Sequence, residues 1–451
     1  MKTSAIFFLV SFLLFSACQP PLLNDPELTA IVGSTIIDGT GDEPIENSIM
    51  LIKDGRINQI INSSDIRLGD SVKMVNANGA YVLPGFIDAH AHVINYRADL
   101  PIYLDYGITG VRAPVSLADT LVIVRDEVDA GDRLAPTIRL AGVFVCTRHT
   151  GEGWWDVADS PEEARDIAKK QIAKGVDFIK VYDDLDTSLI KVITEEAHAA
   201  GIKVIGHLGR TNWWQGVDSG VDALTHSWFS SLPSSLVPES QRSEFIEFHT
   251  NSNDFDPQVL RKWLPIVQQN EEIAHELGSY LAEAGTIIDP TLVLVEATLA
   301  SDSLLWSRLV PGSDTLEYSP HPMSAEWIES LDQEAEQAFQ HFLKVTKIFH
   351  DKGVIIAAGS DTPNPWMYPG VSFHRELELL AQSGISNLDI ITIATKNGAM
   401  AMGMESEFGT VETGKRANFI LLDRNPLEDI SATQAIRSVY LNGEKVREGL
   451  Q

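Results

Sequence analysis

Between residues 84 and 402, short apolar runs alternate with amphipathic helical stretches. That alternation confines the chain to a parallel sheet with crossover helices. Strand candidates lie near 84–90, 107–113, 137–146, 176–182, 202–207, 222–226, 285–290 and 354–360. The helix ahead of the fourth is clearly punctuated: Ser160 can cap it, Pro161 takes the first helical position, Glu163 completes a capping box and Gly175 stops it. Repeated units of this kind predict an α/β fold, a closed (β/α)8 TIM-type barrel spanning 84–402. The connections 227–284 and 291–353 are long, with helical spacing in 271–284 and 325–350. On a barrel such extensions gather at the C-terminal face, where active sites are assembled.

Outside this region the period changes. Ile31-Val32, Ile36-Ile37, Ile49 to Ile52 and Ile57 to Ile61 read as strands separated by Asp38-Gly39 and Asp54-Gly55. Asn418 to Leu422 and Ser438 to Gly443 read the same way, so 28–83 plus 403–451 are expected to form one small β-sandwich. Lys2 followed by the apolar run Ala5 to Phe15 is too short for a membrane span of about 20 residues and reads as a signal peptide. Leu14-Phe15-Ser16-Ala17-Cys18 resembles the bacterial lipobox, although Phe15 stands where Leu is usual. The resemblance implies a signal peptide over 1–18, lipidation of Cys18, a tether over 19–27, and an exported lipoprotein held in the cell envelope by that anchor. Cys146, the other cysteine, then has no disulfide partner and reads as a buried apolar residue. A net charge of −29 argues against nucleic-acid binding, which needs Lys and Arg on phosphates.

Pro84-Gly85-Phe86-Ile87-Asp88-Ala89-His90-Ala91-His92 carries the sharpest chemistry. Side chains at i and i+2 share one face of a strand, so His90 and His92 can chelate a divalent ion, although such pairs also occur without metal. Lys180 ends an apolar strand. Its ammonium either pairs with a carboxylate or, desolvated beside cations, loses its proton and takes up carbon dioxide as a carbamate. His207, His226 and Asp361 each sit at a strand end.

Taken together and in order, these residues resemble the amidohydrolase superfamily, within its imidazolonepropionase-like and Xaa-Pro dipeptidase (prolidase)-like branch. Ser372 to Leu380, Thr395 to Ala399 and Gly409 to Asn418 support the resemblance, with Asn418 where Asp is usual. It implies two divalent ions, with zinc expected at an imidazole-rich site. His90, His92 and Asp361 would hold one, His207 and His226 the other, and carbamylated Lys180 would bridge them. It further implies a hydroxide shared by the ions, Asp361 as proton carrier and His149 on the substrate carbonyl.

Aromatic residues follow several strands: Trp154-Trp155, Tyr182, Trp213-Trp214, Trp228-Phe229, Trp366 and Tyr368. They can wall a small-molecule pocket or simply pack on the rim. Tyr182 shares the face of Lys180 and is a substrate-contact candidate, while Arg148 and Arg210 can hold a substrate carboxylate. His198, His275, His341 and His350 lie on polar helical stretches and are expected to be solvated. The expected reaction is hydrolysis of a C–N bond in a dipeptide, N-acyl amino acid or cyclic amide. An ester, lactone or phosphotriester substrate, or a non-catalytic lipid-anchored binding protein, remains open, as does homo-oligomerisation.

Overall fold

In the computed structural model, residues 20–148, 153–227, 231–250, 257–299, 332–364 and 367–449 are described. The parallel region follows the alternation read above, and its arrangement is an α/β fold of the TIM-barrel type. Strands occur at Phe86–Asp88, Ile108–Ala113, Thr137–Leu140, Phe144–Cys146, Trp155–Val157, Phe178–Val181, Lys203–Gly206, Ala223–Thr225, Ile287–Asp289 and Ile355–Ile356. Their hydrogen bonding forms two parallel sheets, of three and seven strands, where one continuous closed ladder was expected. The expected strand 137–146 is divided, its first half lying in one sheet and its second in the other. A close approach accompanies the break: a Cβ on Gly142 would lie 2.6 Å from Gln171 Oε1. Single bridges, Ala141 to Phe178 and Ala91 to Thr362, link the two sheets at either side.

The helix Pro161–Ala173 forms for the reasons its sequence suggests. Ser160 Oγ accepts from Glu163 N at 3.3 Å, while the Glu163 carboxylate accepts from Asp159 N, one residue earlier than in an ideal capping box. Gly175, at φ +81°, ends the turn in a conformation that an L side chain resists. The long connections contain Glu239–Thr250, Pro257–Gln269, Glu272–Ala284 and Asp332–Asp351. Residues 325–331 of the expected helix 325–350 lie outside the described residues.

The N- and C-terminal segments pair with each other. In order across one sheet run Glu444–Glu448, Ile436–Leu441, Phe419–Leu422, Tyr81–Pro84, Thr29–Ile36, Ile45–Lys53 and Arg56–Asn62, with Lys73–Asn76 also on Thr29–Ile36. Alternation puts Ile31, Met50 and Ile52 into one apolar cluster and Ala30, Ile49 and Leu51 into another. Tyr81–Pro84 leads directly into Phe86–Asp88, so this sheet fixes the entry of the strand that carries the histidine pair.

Candidate active site

The cluster is built on strand ends, one side-chain layer above an apolar layer. Phe178, Ile205, Ala223 and Ile287 pack together, each two residues before Lys180, His207, Thr225 and Asp289. The period of two therefore brings the polar groups to one level. His90 and His92 follow strand Phe86–Asp88 by the same parity. His90 Nε2 lies 3.2 Å and His92 Nε2 2.7 Å from Asp361 Oδ1, and one ligand atom from each of the three falls within 4.8 Å of the others. The His226 ring centroid is 4.5 Å from that of His90, and the His207 ring is 4.6 Å from that of His226. Lys180, 1% exposed, donates from Nζ to Thr225 Oγ1 at 2.9 Å.

Asp289 faces the far side of His90, with Oδ1 2.5 Å from Nδ1, and its other oxygen takes Arg112 Nη2. A carboxylate only accepts, so Nδ1–H donates, and the tautomer that presents Nε2 to the cluster is fixed. Arg112 is in turn held through Nε by Ala89 O at 2.6 Å.

Backbone geometry explains how Asp361 arrives. A Cβ on Gly359 would lie 2.6 Å from His90 Cβ, so only glycine lets these strands approach so closely. Ser360 N and Oγ both bond to Asp88, at 3.0 and 2.5 Å, and Asp361 N donates to His90 O at 2.7 Å. Between these anchors Asp361 takes φ +57°, and His226, likewise, takes φ +69° with Nδ1 2.9 Å from Thr291 Oγ1. Two non-glycine residues held left-handed at one cluster are strain of the kind functional sites retain.

Burial and charge act against each other here. Burial alone would raise the Asp361 carboxyl, but the His90 and His226 imidazoles hold it well below the usual carboxylate range. Burial lowers the Lys180 amine to about 7, with Arg112 adding to the effect and Asp289 and Asp361 opposing it. It also pushes His226 well down. Asp88, wholly buried, is raised to about 7.

The structure thus brings together His90, His92, Lys180, His207, His226 and Asp361, and sets Tyr182 against His207 at 4.7 Å between ring centroids. Arg148 and Arg210 are exposed. The Arg148 side chain reaches Asp184 only at 4.0 Å, and both residues have backbone N–H groups bonded to the turn after Val181. His149, Trp228, Phe229, Trp366 and Cys18 lie outside the described residues.

For Trp213 the packing reading holds, and for His341 the solvated one is corrected. Trp213 is fully buried, packs on Phe349 and donates to Ser231 Oγ, because the capped turn at Asn212 directs it inward. Trp214 likewise donates to Ser235 O. His341 is buried against Trp263, because it lies on the inward face of Asp332–Asp351. Sequence reasoning did not single out Asp289, Arg112, Ser360, Thr225 or Thr291. Only the position of Asp289 and Thr225 at or next to strand ends could have signalled them.

A divalent cation fits this donor set: inward imidazole nitrogens, one held in tautomer by a carboxylate behind it, beside a buried carboxylate that stays ionised. The model of the family described as "Amidohydrolase family" matches residues 81–446. An imidazolonepropionase from Caldanaerobacter subterraneus subsp. tengcongensis is 23% identical over 408 residues, covering 86% of each chain. An ochratoxinase from Aspergillus niger is 21% identical over 488 residues, covering 92% of this chain and 85% of that one. Among solved structures, a Xaa-Pro dipeptidase with bound methionine in the active site superposes with a TM-score of 0.67 at 19% identity, covering 94% of this chain and 100% of the other.

Proposed function

This chain belongs to the amidohydrolase family and is a hydrolase acting on carbon–nitrogen bonds, and from that premise we propose that it cleaves an amide or peptide bond in a small substrate. Dipeptides, N-acyl amino acids and cyclic amides are the substrate classes. The reading is carried by the convergence of His90, His92 and Asp361 to within 4.8 Å, flanked by His226, His207 and a buried Lys180.

In this reading His90, His92 and Asp361 would hold one divalent ion and His207 and His226 a second, with zinc preferred at imidazoles. Lys180, whose amine burial lowers to about 7, would take up carbon dioxide with release of one proton, and the resulting carbamate would offer the ions an anionic ligand. When bound, divalent ions supply Lewis-acid polarisation of the carbonyl oxygen and lower the pKa of water. Asp361 accepts the proton of the attacking water on its carboxylate and returns it to the departing nitrogen. Asp289 keeps His90 from rotating while this happens. Tyr182 borders the substrate, the exposed Arg148 and Arg210 meet a substrate carboxylate, and His149 is the candidate donor to the substrate carbonyl.

Metal analysis and hydrolysis assays on Xaa-Pro dipeptides, N-acyl amino acids, cyclic amides and lactones test the proposal. Turnover of an amide that is lost about 10²- to 10⁴-fold in Asp361→Asn supports it. Absence of divalent ion from the purified protein, or turnover of lactones alone, overturns it. We also propose that the chain is exported and anchored through a lipid on Cys18, for which palmitate labelling of the intact precursor, lost in Cys18→Ser, is the check. No helix among the described residues is long and apolar enough to cross a membrane.

A further inference from the structure

The ring arc of the site does not end at His207. Tyr182 lies 4.7 Å from His207 and 4.7 Å from Phe144, while Trp155 stacks on Phe144 at 4.7 Å and 24° and meets Tyr182 edge-on at 5.2 Å. Rings therefore follow one another from Trp155 to His92, apolar or phenolic at one end and imidazole at the other.

Backbone register explains the arrangement. The short strand Trp155–Val157 adds in parallel to Phe144–Cys146, with Trp155 directly opposite Phe144. Val145 is opposite Val181, so Phe144 falls on the face of Lys180 and Tyr182, the face of the catalytic cluster. Tyr182 and His207 then follow the paired residues Val181 and Gly206. Phe144, Trp155, Tyr182 and His207 are all half-buried, in contrast to the sealed core rings Phe86 and Phe373. Closing a core does not require an aromatic wall left partly open beside a ligating histidine.

We propose that Phe144, Trp155 and Tyr182 form a subsite for an uncharged, ring-bearing apolar group of the substrate, on the His207 side of the scissile bond. Offset-stacked and edge-on rings attract a further ring at similar spacings, and an apolar ring leaves water on entering. Aromatic faces also attract cations, but a divalent-ion site at His207, one ring from Tyr182, would repel them, which favours a neutral group. The position of the scissile bond rests on the hydrolase reading, whereas ring selectivity does not.

The test is equilibrium binding of 3-phenylpropanoate and propanoate, which contain no amide to cleave, to the full metal-loaded chain by calorimetry. The ring-bearing probe is expected to bind about ten-fold tighter or better. The ratio should fall towards one in Trp155→Leu and Phe144→Leu and recover in Trp155→Phe, which restores a ring. Trp155 sits on the outermost strand of its sheet, so its substitution leaves the rest of the ladder paired, while Trp155→Phe, which keeps a stacking ring, controls for lost stability and Phe144→Leu gives a second reading. Equal affinities in the wild type, or a preference that survives both leucine variants, overturn the subsite. A preserved binding ratio with no hydrolysis of any amide would reject the hydrolase reading and leave the subsite standing.

Discussion

Asp289 Oδ1 lies 2.5 Å from His90 Nδ1, and both side chains are at most 1% exposed. The pair decides which imidazole nitrogen faces the cluster, because a carboxylate can only accept. In Asp289→Asn the amide can instead donate to Nδ1, which favours the wrong tautomer and leaves Arg112 without its anion. Affinity for divalent metal should drop about 10- to 100-fold, read by chelator competition on the purified variant. Unchanged affinity would mean that His90 needs no partner behind it.

Ser360 is expected to act through its neighbour. Its hydroxyl and N–H hold Asp88, and the next residue, Asp361, is fixed left-handed between that clamp and His90 O. Ser360→Ala leaves a buried carboxyl oxygen without its donor, a cost of about 1–3 kcal/mol. Freed to shift, Asp361 should lose kcat about ten- to a hundred-fold while KM moves little. Steady-state kinetics beside a denaturant titration separates this from simple loss of stability. A fall in stability with kcat intact would confine Ser360 to folding.

What could be read from residue order alone follows from what each signal encodes. His90-Ala91-His92 was informative because a strand's period of two makes spacing equivalent to facing, and His207, His226 and Asp361 because strand ends on this fold converge. Asp289 satisfies the same strand-end criterion, yet a single Asp before Pro290 also reads as an ordinary turn. Arg112 offered nothing, since a buried guanidinium is recognisable only once its anion is placed. The split of 137–146 was hidden because Ala141-Gly142-Val143 continues the apolar run, and the constraint there, Gln171, is distant in sequence. His341 misled because Gln340, Lys344 and Lys347 make its helix look polar, while Phe342, Val345 and Phe349 carry the buried face.

Lys180 gives a stability signature that needs no substrate. Burial lowers its folded pKa to about 7, against an ordinary value of 10.5. Between those values the unfolded chain binds the extra proton, so stability of the metal-free protein rises with pH through this group. Lys180→Met keeps the stem and deletes the titration. The stability difference, wild type minus variant, should therefore climb from pH 7 to pH 10 in matched denaturant melts with chelator present. A flat difference would mean that Lys180 remains protonated in the fold.

Asp184, 5% exposed, accepts from Thr147 N at 2.9 Å and Arg148 N at 2.7 Å, tying the end of Phe144–Cys146 to the turn after Val181. Asp184→Ala should cost about 1–3 kcal/mol and expose the chain near Arg148 to proteolysis. Limited digestion with trypsin, compared with the Arg148→Gln control, locates the cut. Identical digestion patterns in wild type and Asp184→Ala would show that the connection is held by other contacts.

His341 makes the acid limb of stability partly predictable. Burial against Trp263 lowers its folded pKa to about 4 from 6.5, with Lys344 pushing the same way and Glu271 opposing. In the unfolded chain the imidazole titrates at its ordinary value, so between about pH 6.5 and 4 the unfolded state binds more protons. Stability through this group is therefore fully present above pH 6.5 and is lost as pH falls through that window. The loss is at most about 3.5 kcal/mol, since each ten-fold change in proton affinity is worth about 1.4 kcal/mol. His341→Phe fills a similar volume and cannot take up a proton. The gap between variant and wild type should widen in the variant's favour from pH 7 to pH 4. Parallel stability curves over that range would show that the ring is reached by water and ionises in place.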